Sequence, residues 1–139
     1  MRLLSALFAA ATFAIVPFVQ AQSVHENEEV IWQLAAKQVM LSLESEYDLV
    51  RTQTLKNVIV FSALYRDQID LRPVVKPIAK IASDDVSAQN RSLALAALRA
   101  IDSIRARQYL AELQGIDENA YRRLVATVLS EYYSKPNAM

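Results

Sequence analysis

The sequence of 139 residues lacks cysteine and contains one glycine and one histidine. Without cysteine there is no disulfide, no thiolate nucleophile, no cysteine-based zinc or iron–sulfur site and no acylated cysteine anchor. The single glycine, Gly115, excludes a Walker loop and a GxGxxG fingerprint, because both need several positions where the backbone approaches phosphate without a Cβ. The single histidine, His25, cannot form a multi-histidine metal site. We therefore expect no metal ion and no cofactor.

The scarcity of glycine also bears on the fold class. All-β chains need many tight turns, and those turns need glycine and proline, whereas this chain has one glycine and four prolines. Hydrophobic residues make up 53% of the sequence, which suits a domain with a buried core. The composition predicts an all-α protein.

Residues 1–21 have the pattern of a secretory signal peptide. Arg2 gives a positive start, residues 3–18 are uncharged and apolar, and the sequence VQA at residues 19–21 fits the small-x-small rule for cleavage after Ala21. The alternative is an uncleaved membrane anchor, but this apolar run is shorter than the ~20 residues that a spanning helix needs. We expect an exported protein with no stable membrane insertion after cleavage, located in the periplasm or, alternatively, outside the cell.

The mature chain is nearly neutral but its charge is unevenly distributed. Residues 22–48 contain six acids and one base, whereas residues 49–139 contain thirteen bases and nine acids. The acidic end could steer a charged partner or simply be a solvated surface. A near-neutral exported chain lacks the strong basic footprint of a nucleic-acid-binding protein, so we expect no nucleic acid as partner.

From Glu29 onward the apolar residues have helical spacing, which predicts six helices. The first helix has a wide apolar stripe, which comprises Ile31, Leu34, Ala35, Val39, Leu41 and Leu43. Asp48 is the predicted N-cap of the second helix. The run VIVF at residues 58–61 would also suit a strand, but the helical periodicity continues on both sides of it.

The later segments carry their own start and stop signals. A third helix begins near Pro73, and Pro77 is expected to kink it. The polar turn at residues 83–87 supplies caps for the fourth helix. The fifth helix covers residues 104–114 and ends at Gly115, and Asp117 caps the sixth. Residues 135–139 are the predicted flexible tail.

The helical segments repeat along the chain. A shift of 40 residues aligns Arg51 with Arg91, Leu55 with Leu95 and residue 71 with residue 31, and a shorter shift aligns a third unit. A period of this length with two helices in each unit predicts an α-solenoid, in which each unit stacks on its neighbour.

At residues 74–101 the sequence VVKPIAKIASDDVSAQNRSLALAALRAI resembles the HEAT-repeat family. It has a proline-bearing first helix, an acidic turn, and an arginine near the start of an Ala/Leu-rich second helix. The resemblance implies a short right-handed solenoid of about three helical hairpins over residues 22–134. It also implies a ladder of turn aspartates and second-helix arginines between units, which comprises Asp48, Asp85 and Asp117 with Arg51, Arg91 and Arg122. The first unit has no proline in its first helix, and the third is shortened.

Few residues qualify for chemistry. The carboxylate pairs Glu44 and Glu46, or Asp84 and Asp85, would be the acid and base of a glycosidic cleavage, but they lie in predicted turns with no feature that would perturb their pKa values. The arginines at 51, 91 and 122 would form a phosphate- or carboxylate-binding row if they were not structural. We predict no catalytic residues.

Two features are candidates for partner binding. Arg99, Arg105 and Arg107, with Tyr109 and the additional Arg123, would form an exposed basic and aromatic patch. Trp32, in the first helix of the stack, is either a cap for the stack or an anchor for a partner.

The sequence thus favours an exported, non-catalytic module that binds another protein of a bacterial cell envelope. Two alternatives remain. One is a small hydrolase or lyase that acts on an envelope polymer through paired carboxylates. The other is a structural protein that self-associates through Trp32 or through Tyr132 and Tyr133.

Overall fold

The computed structural model describes residues 24–113 and 117–135. This part of the chain is all-helical, with 82% of its residues in helices and no strand, which confirms the prediction of an all-α protein. A 3₁₀ turn at Arg72–Val74 precedes the third of six α-helices, which are α1 (Val24–Leu43), α2 (Asp48–Leu64), α3 (Val75–Asp84), α4 (Ala88–Ile101), α5 (Ile104–Glu112) and α6 (Glu118–Ser134). The predicted signal peptide, Gly115 and residues 136–139 lie outside the described residues. None of the described helices has the length and apolar character needed to cross a membrane.

The helix starts follow the predicted capping chemistry in two of three cases. In the turn at residues 83–87, Ser87 Oγ accepts a hydrogen bond from the Asn90 backbone N–H at 3.2 Å, and Asp117 Oδ1 accepts from Asn119 and Ala120. The prediction for Asp48 is wrong. Tyr47 occupies the cap position of α2 without a side-chain hydrogen bond, and Asp48 is already the first helical residue.

The predicted kink at Pro77 is also wrong. Pro77 is the third residue of α3, inside the first turn, where a backbone N–H has no intrahelical acceptor and its loss costs nothing. Helix α4 ends at a left-handed residue, Asp102, which has a φ of 51° and whose N–H donates to the Leu98 carbonyl.

The core lies around α4, which packs against α2, α3, α5 and α6. Its alanines at 94, 96 and 97 are buried, and such small side chains let neighbouring helices approach closely. The largest fully buried apolar side chains come from α2, α3 and α4, and they include Leu55, Ile59, Ile78, Leu93 and Leu98. By contrast, α5 and α6 each bury one residue, Ala106 and Val128. The second and third helices of the chain therefore share most of their core with the fourth.

The predicted apolar stripe of α1 is divided between two sides of the helix. Val39 and Leu43 are buried and Ile31 and Ala35 are half-buried, but Leu34 and Leu41 are 53% and 63% exposed. As the first described helix, α1 packs mainly against α2 and only slightly against α3. One side of α1 is therefore enough to fill the contact, and Leu34 and Leu41 point away from it.

Helix α6 crosses from the second helical hairpin, which comprises α3 and α4, to the first, which comprises α1 and α2. It begins beside the end of α4, where Arg99 Nε lies 2.8 Å from Glu118 Oε2. It ends beside the second half of α2, where Lys56 Nζ lies 2.9 Å from Glu131 Oε2 and the Tyr65 and Tyr132 hydroxyls are 3.4 Å apart. In a linear stack each unit contacts only its neighbours, so the α2–α6 contact is an addition to such an arrangement.

Candidate functional site

One rung of the predicted ladder joins the two hairpins. Arg51 Nε, on α2, lies 2.7 Å from Asp85 Oδ2, and Arg51 Nη2 donates to Asp85 Oδ1 at 3.3 Å. The pair is well shielded, with 13% of the Arg51 side chain and 3% of the Asp85 side chain exposed. Both carboxylate oxygens of Asp85 are thereby engaged in a bidentate ion pair.

The contact between Arg51 and Asp85 favours the ionised form of both side chains. Burial acts to raise the pKa of Asp85, but the hydrogen bonds from Arg51 and from the Ser87 backbone N–H outweigh it and hold the pKa below its ordinary value. The hydrogen bond with Asp85 raises the pKa of Arg51. Asp85 is therefore held in its ionised form by this pair.

Asn90 adds to the contact between α2 and the start of α4, and the sequence analysis did not identify it. We call the contacts made here by Arg51, Asp85 and Asn90, with the apolar side chains packed between the two helices, the α2–α4 joint. The Asn90 side chain is fully buried, donates from Nδ2 to the Asp48 backbone carbonyl at 3.1 Å, and contacts the Thr52 hydroxyl through Oδ1. Asn90 directly precedes Arg91, and the 40-residue shift pairs it with Val50. A polar residue at a position paired with an apolar one was the signal in the sequence that could have identified Asn90. Asp48 thus contributes its carbonyl to the joint, rather than a carboxylate rung.

The second and third rungs are absent from the described residues. Arg91 Nη1 donates to the Asp85 carbonyl at 2.6 Å, as Arg51 Nη1 does to the Ser45 carbonyl at 2.7 Å, but no ion pair joins Arg91 to Asp117. Arg122 is exposed and makes no ion pair with Asp117 within residues 24–113 and 117–135. The reason is the course of α6, which begins near Arg99, about two turns beyond Arg91.

The predicted basic patch is a network of opposite charges. Arg99 Nη1 lies 3.6 Å and Arg107 Nε 3.3 Å from Asp102 Oδ1, and Arg99 also pairs with Glu118. These contacts join the end of α4 to α5 and α6. The structure therefore brings Arg99 and Arg107 together, but around acids that balance their charge.

Arg105 and Tyr109 form a separate contact on α5. The Arg105 Cζ atom lies 5.9 Å from the centroid of the Tyr109 ring, at the distance of a cation–π interaction. Arg123 is exposed on α6. The residues of the predicted patch thus take part in separate contacts, Arg99 and Arg107 with Asp102 and Arg105 with Tyr109.

Trp32 packs against aromatic side chains at the end of α2 and also borders a groove. Its ring lies 5.1 Å from Tyr65 and 6.0 Å, edge to face, from Phe61, measured between ring centroids. Because Phe61 belongs to α2 and Tyr65 directly follows that helix, this aromatic cluster fixes α1 on α2. The two interpretations of Trp32, a cap or a binding residue, are therefore compatible.

The Trp32 groove has a volume of about 500 Å³ and runs between α1 and the segment that leads into α3. Its apolar lining is Trp32, Ala36, Met40, Pro73 and Val74, and its polar lining is Glu29, Gln33, Lys37, Gln68 and Asp70. The hydrogen bond from Arg72 lowers the pKa of Asp70, so this rim residue stays ionised.

The remaining candidates are dispersed. Glu44, Glu46 and Asp84 are exposed, and Asp85 is occupied by Arg51. Tyr133 is exposed, whereas its neighbour Tyr132 is engaged with Tyr65, a hydrogen bond that raises the pKa of Tyr132 to about 12. Within the described ranges, no cluster of three or more His, Asp or Glu side chains is placed to hold a metal ion.

Comparison of the chain with protein-family models, curated proteins and solved structures gives no match. The interpretation of the site therefore depends on its own geometry. Of the surfaces described above, the Trp32 groove is the one that combines an apolar floor with a polar rim.

Proposed function

We propose that the protein is an exported, non-catalytic protein-binding module of the bacterial cell envelope. Its scaffold is a short right-handed HEAT-like solenoid, and a segment of another envelope protein binds in the Trp32 groove. The observation that carries the proposal is the groove itself, which places an aromatic ring, a methionine and a proline beneath a rim of polar side chains.

The contacts of the first two hairpins support the HEAT-like scaffold. The second helices of both hairpins, α2 and α4, lie side by side, and each carries an arginine that donates to a turn carbonyl six residues earlier. The two arginines and the two carbonyls are each separated by the 40-residue period, at 51 and 91 and at 45 and 85. Helix α6 then closes the stack by crossing α4 and α2.

The composition of the groove favours a particular kind of partner. Met40 adapts to varied side-chain shapes, whereas the Trp32 ring is held by Tyr65 and Phe61, so the groove is preorganised at one end. Residues 22–48, which supply α1 and six of the ten lining residues, have six acids against one base. The partner segment therefore carries an apolar side chain that enters the groove and basic residues on either side of it. The acidic end of the module attracts these basic residues.

Trp32 is the only tryptophan of the chain, so its fluorescence reports on the groove directly. The test titrates the full-length protein with short synthetic peptides that carry a leucine or phenylalanine between lysines, and with matched peptides that carry glutamates. We expect the lysine series to shift the emission of Trp32 and to bind more tightly. Met40→Glu should abolish the shift, whereas Val86→Glu, at an exposed position in the turn between α3 and α4, should leave it unchanged.

Cross-linking in the envelope provides the second arm. A photoreactive residue at Gln33, on the rim, should capture a defined protein whose contact peptide is apolar and basic, and capture should be lost with Met40→Glu. Unaltered emission with every peptide, together with equal capture from Gln33 and from the Val86 control position, would overturn the proposed function.

A further inference from the structure

The outer side of α1 carries an apolar stripe that no described residue covers. Val30, Leu34 and Leu41 are 50%, 53% and 63% exposed, and Lys37 lies between them on the same side of the helix. We call these four residues the outer stripe. It adjoins the Trp32 groove but contains none of its apolar lining. A terminal helix of a stack normally presents a polar outer face, so this apolar one needs a partner.

The spacing of the outer stripe matches that of a coiled-coil seam. Its residues follow one another at intervals of four, three and four, which is the alternation of a and d positions in a heptad. The outer stripe also matches the outer stripe of a second copy whose α1 runs in the opposite direction. About a twofold axis between residues 34 and 37, Val30 faces Leu41 of the second copy and Leu34 faces Lys37 of the second copy. Every stripe residue therefore meets another stripe residue, as an isologous contact requires.

The flanks and charges of α1 favour the same arrangement. The residues that border the stripe are Ile31, Gln33, Gln38 and Met40, none of which is charged, so the flanks of the contact bury no ion, and the ammonium of Lys37 can extend past them to solvent. Glu26, Glu28 and Glu29 lie in the first half of α1, and Lys37 lies in the second half. An antiparallel pair sets the acidic half beside the half with the lysine. A parallel pair would set lysine against lysine and acids against acids.

We propose that the protein forms a twofold symmetric dimer through the outer stripe, with the two α1 helices antiparallel. The contact has four layers and ends where Asn27 lies opposite Glu44 of the second copy. One helix face is small against the ~1,600 Å² of a standard interface, so the dimer is weak and depends on concentration. The contact shares Lys37 with the rim of the Trp32 groove and has Met40 at its edge, but it needs no segment bound in the groove, so the dimer does not depend on the proposed function.

Sedimentation velocity of the full-length protein over a range of concentrations tests the dimer. We expect a reversible monomer–dimer equilibrium in the micromolar range, which Leu41→Glu abolishes. Lys37→Leu should tighten the dimer roughly tenfold or more, because two layers change from lysine against leucine to leucine against leucine. Ile104→Glu, at a similarly exposed apolar position on α5, is the control and should leave the equilibrium unchanged. Circular dichroism verifies that each variant stays folded.

Because the natural chain has no cysteine, disulfide trapping tests the register without background. A mixture of Val30→Cys protein with a size-tagged Leu41→Cys protein should yield the mixed disulfide on mild oxidation. Val30→Cys alone should not cross-link, because the two copies of residue 30 lie about 16 Å apart along an antiparallel pair. A monomer at all concentrations would overturn the proposal, as would efficient cross-linking of Val30→Cys to itself, which indicates a parallel pair.

Discussion

The joint between α2 and α4 and the joint between α4 and α6 connect neighbouring helices by different means. The first contains fully buried apolar side chains such as Leu55 and Leu93 together with the shielded Arg51–Asp85 pair. The second buries only Val128 from α6 and is bordered by the Arg99–Glu118 pair, whose side chains are 33% and 53% exposed. Buried polar contacts tolerate one register, whereas exposed ion pairs contribute little and adapt to several. The α2–α4 joint therefore fixes the arrangement of the hairpins, and α6 adds to a structure that is already defined.

Replacement of Arg51 by methionine should have the largest effect. It leaves the shielded Asp85 carboxylate without its counter-ion, so we expect a loss of about 3 kcal/mol in the free energy of unfolding, measured by urea denaturation. Arg99→Met is the matched control at the α4–α6 joint, and should cost about 1 kcal/mol or less because that pair is solvated. Equal losses for the two variants would contradict the distinction between the joints.

Asn90→Ala should have the next largest effect. It removes the buried donor to the Asp48 carbonyl and leaves that carbonyl unsatisfied, at an expected cost of about 2 kcal/mol in the free energy of unfolding. Asn119→Ala, on the exposed first turn of α6, should change this free energy by less than about 0.5 kcal/mol. An Asn90 variant as stable as the Asn119 variant would show that the polar joint contributes nothing.

The pH dependence of stability should report on Asp85. Its folded pKa lies below the ordinary value near 3.8, so its stabilisation is complete above that pH and is lost as the pH falls through the folded pKa. We expect the difference in unfolding free energy between the natural protein and Asp85→Asn to be constant above about pH 5 and to shrink in acid. Thermal denaturation of both proteins from neutral to acidic pH measures it. A difference that grows toward low pH would be the contrary result.

Tyr132 should give the smallest effect, at the contact that α6 makes with α2. The hydrogen bond with Tyr65 raises the pKa of Tyr132 to about 12. The contact therefore stabilises the fold fully below about pH 10, and this stabilisation is lost as the pH rises from there toward 12. Titration of the tyrosines by near-ultraviolet absorbance should show a group that ionises near pH 12. That group should be missing in Tyr132→Phe and retained in Tyr133→Phe.

The features that could be predicted from the sequence depend on local spacing. The Ser87 and Asp117 caps follow from residues within three positions of one another, and the continuous periodicity around residues 58–61 correctly favoured helix over strand. The Arg51–Asp85 rung followed from the HEAT resemblance, because α2 and α4 belong to the two units in which the period is regular.

The failures concern positions that depend on the whole chain. The missing rungs at Arg91 and Arg122 follow from the unexpected course of α6, and the mispredicted kink at Pro77 follows from where α3 begins. The sequence also did not indicate that the corner between α4, α5 and α6 places Asp102 and Glu118 beside Arg99 and Arg107, and partner binding by these arginines stays a prediction.

By itself the sequence determined that this chain has no cysteine chemistry, no glycine-based phosphate loop and an almost wholly helical described structure, because composition and local periodicity act within a few residues of each position. Only the tertiary structure decided which side of α1 is buried, since Leu34 and Leu41 have the same hydrophobicity as the core residue Leu43. It also decided that Trp32 and Pro73, which lie far apart in the sequence, border one groove. Such outcomes depend on which helices compete for the same neighbours, and that competition involves the whole packed chain.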